Sequence, residues 1–112
     1  MSNELLIRTA ARWNIPRELA VQVLARDLRC IYCNRDYDLA GPRAGVPSWE
    51  HIVNDVSVVT LANIALCCCG CNASKGRKSL LHWLDSTYCR SRGISTASIA
   101  RIAASSLGNG EA

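Results

Sequence analysis

At 112 residues the chain is long enough for one compact domain and too short for two ordinary ones. Hydrophobic residues make up 49% and charged residues 20%, a composition that excludes a disordered polymer, and no apolar run approaches the ~18 residues of a membrane span. The formal charge of +4, from 13 Lys and Arg against 9 Asp and Glu, permits a nucleic-acid partner without demanding one.

The first third predicts two helices within 4–29. Leu5, Leu6, Ala10 and Trp13 recur at helical spacing, Asn14-Ile15 breaks the pattern, and Pro16 suits the first turn of a second helix. Val21, Leu24 and Leu28 are the expected core stripe of that helix, with Arg17, Arg26 and Arg29 left in water. Both helices read as scaffold. The charges at Glu4 and Arg8 leave no visible secretory signal, so a cytoplasmic setting is expected.

Seven cysteines, three of them consecutive at 67–69, make a poor disulfide framework and a good thiolate-metal site in a reducing compartment. Cys30-x-x-Cys33 and Cys68-x-x-Cys71 each present two sulfurs to one tetrahedral ion, and four thiolates make a closed structural zinc site. Cys67 or Cys69 could replace Cys68. Cys89 is expected in the core, where free cysteine behaves as a small hydrophobe.

The stretch 34–48, rich in Asp, Gly, Pro and Arg, predicts a loop. Trp49–Val53 and Val56–Leu61 read as antiparallel strands joined by a turn at Asn54-Asp55, with Ile64–Leu66 leading into the cysteine cluster. Ser79–Tyr88 is helical in pattern, and His82 within it is a packing or surface residue. A last helix is expected over 95–107 with Ser95 as its N-cap, followed by a frayed tail at 108–112.

Glu50-His51 alone carries little weight. The order of the residues downstream carries more: Asn63, Cys68-Cys69-Gly70-Cys71, Asn72, then Lys75-Gly76. Over Cys30–Gly76, about two-fifths of the chain, the sequence resembles the HNH nuclease family, in its branch with two zinc-binding cysteine pairs. The resemblance implies a ββα-metal core; with the helices predicted on either side, which it does not cover, this gives a single α+β domain over 1–107 with its zinc and ββα core at 30–88. It implies hydrolysis of DNA phosphodiesters with His51 as general base and Asn63 bracing the loop that orients it. Glu50 and Asn72 match the positions that hold the catalytic ion, and their hard oxygens suit Mg²⁺ or Mn²⁺. Lys75, Arg77 and Lys78 lie where phosphate contacts are expected. One such centre cuts one strand, so double-strand cleavage would need a homodimer or two encounters. Compact members of the family are often phage or mobile-element proteins, which implies a bacterial or phage-infected cell.

Two departures stand out. Glu50 occupies a position more often Asp, and the linker from His51 to Asn63 lacks the usual Pro and Gly-Gly. The rival reading is a zinc-stabilised DNA-binding module without catalysis, and a weaker one is a thiol redox protein.

Overall fold

The computed structural model describes residues 3–108. Helix α1 spans Asn3–Ala10 and buries Leu6 and Ala10, while Leu5 faces water. A single 3-10 turn, Ala11–Trp13, is closed by Asn14 in the left-handed conformation (φ 60°, ψ 32°). Pro16 sits one position before helix α2, Arg17–Arg26, as its N-cap rather than in its first turn.

The buried stripe of α2 is Ala20 and Val23 with half-buried Leu24, so of the expected Val21, Leu24 and Leu28 only Leu24 joins it. Val21 and Leu28 are exposed, the latter at 75%. The reason is polar. Asp27, buried just past the helix, accepts the Leu66 N–H at 3.0 Å, and the Arg26 guanidinium grips that carboxylate and also donates to the carbonyls of Leu61 and Ile64. Arg26, expected in water, is therefore a half-buried fastener between α2 and the sheet.

Strands β1, Pro47–His51, and β2, Ile64–Cys68, pair antiparallel with Trp49 opposite Leu66 and Glu50 opposite Ala65. The second strand lies well beyond the expected 56–61. That β-branched run is loop instead, with Val56 64% exposed, and it is held in shape by the buried side chain of Asn63. Alternation along the strands gives the sheet two covered faces. Ala65 and Cys67 join a core with Tyr32, Trp83 and Cys89, whereas Trp49, Ile64 and Leu66 pack with α1 and α2.

Helix α3, Cys69–Lys75, follows β2 without a linker, and Cys68 is both the last strand residue and the N-cap. The expected continuous helix over 79–88 is two short ones, α4 (Leu80–Leu84) and α5 (Thr87–Arg92). Ser79 and Ser86 each accept the backbone N–H three residues on, so a second serine cap interrupts the apolar pattern. The last helix, α6, runs Arg101–Gly108 rather than from Ser95. The Ala100 N–H donates to the Ile31 carbonyl at 2.8 Å, which ties the start of α6 to the first cysteine pair and leaves 95–99 as a turn. Of the expected tail, Gly108 ends α6 and 109–112 lie outside the described residues. No helix of the described residues is long and apolar enough to cross a membrane.

Candidate functional site

Two cysteine pairs, brought from the segment after α2 and from the β2–α3 junction, meet in one cluster. The ligand atoms of Cys30, Cys33, Cys68 and Cys71 all lie within 4.8 Å of one another. Cys33 and Cys68 sulfurs are 3.8 Å apart, close to the ~3.8 Å edge of a tetrahedron with ~2.3 Å metal–sulfur bonds. Each pair repeats one local motif: the first sulfur accepts the backbone N–H of the last residue, Cys33 to Cys30 at 3.5 Å and Cys71 to Cys68 at 3.4 Å. These donors favour thiolate, and Cys68, which also takes hydrogen bonds from the Cys30 and Cys71 thiols, titrates far below an ordinary cysteine. The four residues could hold a structural metal such as zinc. Among Cys67, Cys68 and Cys69, it is Cys68 that joins the cluster. Cys89 is buried in the core, as expected.

Beside this cluster, β1 and α3 are stitched together on one face of the sheet. The Asn72 amide nitrogen donates to Ser48 Oγ and to the Trp49 carbonyl, both at 2.9 Å. One helical turn on, Lys75 Nζ lies 3.2 Å from Glu50 Oε2 and 3.5 Å from the His51 carbonyl. Tyr32 donates its hydroxyl to the same Glu50 oxygen at 2.6 Å. Lys75 is 1% exposed, so the structure corrects the expectation that it contacts phosphate from the surface. Its neighbours Arg77 and Lys78 are exposed, in the segment after Gly76. Burial raises the Glu50 carboxyl above its usual range, opposed by the Lys75 ammonium and the Tyr32 hydroxyl.

His51, the last residue of β1, turns to the other face. Its ring meets Trp13 edge-on, with centroids 5.9 Å apart and planes at 66°. His51 Nε2 is enclosed and has no hydrogen-bond partner among the described residues. Burial holds its pKa below the usual 6.5, so the imidazole is neutral near pH 7. Asn63 anchors the loop after β1: its Oδ1 accepts the Val53 N–H at 2.7 Å and its Nδ2 donates to the carbonyls of Val53 and Val58.

Comparison with protein-family models, with curated proteins and with solved structures returns no match. Function must be read from the residues themselves. The structure brings Glu50, Asn72 and Lys75 to one side of β1 and sets His51 on the other, with Asn63 behind it. Two participants escape a sequence reading. Tyr32 looks like a spacer between cysteines, and Trp13, far off in sequence, looks like one more apolar position of a helix.

Proposed function

We propose that this chain is a zinc-stapled endonuclease of the HNH type, hydrolysing DNA phosphodiesters. One arrangement carries the reading: strand, loop, strand and helix in succession, with Glu50-His51 closing the first strand, Asn63 clamping the loop and Asn72 on the helix. His51 supplies the proton acceptor. With Nε2 enclosed, Nδ1 is the nitrogen left to take a proton from water aligned with the scissile phosphate. Asn63 fixes the backbone behind that ring. Arg77 and Lys78 supply exposed positive charge for the DNA backbone.

Glu50 and Asn72 offer hard oxygens on one face of β1, although Glu50 is buried with its Oε2 engaged by Lys75 and Tyr32, and His51 lies on the opposite face. Asn72 makes its bonds through nitrogen and keeps Oδ1, and Glu50 is engaged through Oε2. Glu50 and Asn72 would hold Mg²⁺ or Mn²⁺, which when bound neutralises charge building on the phosphate and the leaving 3′ oxygen. The buried Lys75 ammonium, 3.2 Å from Glu50 Oε2, would have to yield that oxygen for the carboxylate to hold the ion.

A second reading, a DNA-binding module without cleavage, is favoured by one observation: Glu50 already has a buried counter-charge in Lys75. Supercoiled plasmid incubated with Mg²⁺ or Mn²⁺, with and without EDTA, separates the two. Metal-dependent nicking that falls about 10²–10⁴-fold in His51→Ala, in protein of unchanged zinc content, supports the nuclease. DNA binding with no cleavage in either metal supports the module.

A further inference from the structure

Trp13 is the only exposed Trp or Tyr among the described residues, at 47%, while Trp49 and Trp83 are buried. Its backbone is pinned. The 3-10 turn that carries it is closed by the Asn14 N–H on the Ala11 carbonyl at 3.1 Å and by the Ile15 N–H on the Ala10 carbonyl at 3.2 Å, and Ile15 is itself buried. The core does not need the indole, because α1 reaches the sheet through Leu6 and Ala10, and Trp49 Nε1 donates to the Leu6 carbonyl at 2.8 Å. Instead the ring is half exposed and packs in a T-shaped pair with His51, whose Nε2 is unpartnered among the described residues. Arg8 and Arg12 are exposed nearby in sequence, and neither is in an ion pair among the described residues.

We infer that Trp13, with Arg8 and Arg12, is a DNA-contact site contributed by the N-terminal helices, the indole stacking on a nucleobase beside the backbone that His51 faces. A half-exposed indole on a segment that also carries two guanidinium groups outside any ion pair among the described residues matches the chemistry of nucleic acid, in which an unpaired base offers a π-face and every linkage an anion. The inference rests on the DNA-binding reading that both functions above share, and it assigns a task to a segment outside the motif region.

Titration of the zinc-loaded protein with a short DNA oligonucleotide in magnesium-free buffer, followed by tryptophan emission and by anisotropy of a labelled strand, tests it. The buried Trp49 and Trp83 are shielded, so quenching reports Trp13. Quenching is expected, with Trp13→Ala binding about tenfold or more weaker, Trp13→Tyr retaining most of the affinity, and the melting temperature little changed. DNA binding by wild type with unaltered emission, and equal affinity in Trp13→Ala, overturns the inference and leaves the function standing. Failure of the wild type to bind DNA overturns both.

Discussion

Lys75 and Glu50 face each other inside the protein, 1% and 7% exposed at their side chains, with Tyr32 completing the carboxylate's bonds. Desolvating two charges is costly, and removing only one partner strands the other in low dielectric. Lys75→Met should therefore destabilise by about 3–5 kcal/mol, and Lys75→Met/Glu50→Gln should recover most of that loss while keeping an acceptor for Tyr32. Urea midpoints at fixed zinc concentration check both, and a single variant as stable as wild type would show the pair to be inert. The sequence places Lys75 among cations because Arg77 and Lys78 lie just beyond it. Helical geometry decides otherwise: Lys75 lies three residues from Asn72, so both meet β1. Adjacency in sequence is a poor guide to exposure on a seven-residue helix.

Among elements, the cysteine pairs are legible in the sequence because their geometry is local. The same N–H to sulfur bond recurs at Cys30 and Cys68, and two intervening residues suffice to form it. The second strand is not legible. Val56–Leu61 has the composition of a strand, yet the Asn63 side chain occupies three backbone groups of that region and starts the pairing at Ile64. A long-range hydrogen bond leaves no period in the sequence. The serine cap at Ser86 and the Ala100–Ile31 bond likewise divide or delay helices whose apolar patterns run on. Since little beyond two strands and short helices surrounds the cluster, its loss should be severe. Cys30→Ser or Cys71→Ser, or chelation of the wild type, should abolish cooperative unfolding by circular dichroism, as structural zinc contributes on the order of 10 kcal/mol in small domains. A metal-free chain that melts like the zinc-loaded one would count against a structural role.

For the whole molecule, a charge of +4 is modest, and its distribution matters more than its size. On the DNA-binding reading, Arg77→Ala and Lys78→Ala should each reduce the slope of log K against log salt by about 0.9 on duplex DNA. Lys75→Met should leave the slope unchanged, because the ammonium is sealed beneath α3 and meets no counterion atmosphere. Equal slopes for all three variants and the wild type would make the cluster after Gly76 an ordinary solvated surface.

A metal held by the four cysteines would have a topological consequence. Joining Cys30 and Cys33 to Cys68 and Cys71 closes a ring of chain that contains Glu50, His51 and Asn63, with Asn72 at its door. Helices α1, α2 and α6 lie outside that ring in sequence. Helices α1 and α2 are nonetheless tied to it, through Arg26 and Asp27 on the backbone of residues 61–66 and through Trp49 Nε1 on the Leu6 carbonyl, so their opening would loosen the sheet that carries the candidate site. Trp13, Arg8 and Arg12, the proposed contacts ahead of the ring, sit on that tied segment, so a strand of DNA seated on them would bear directly on the geometry inside the ring.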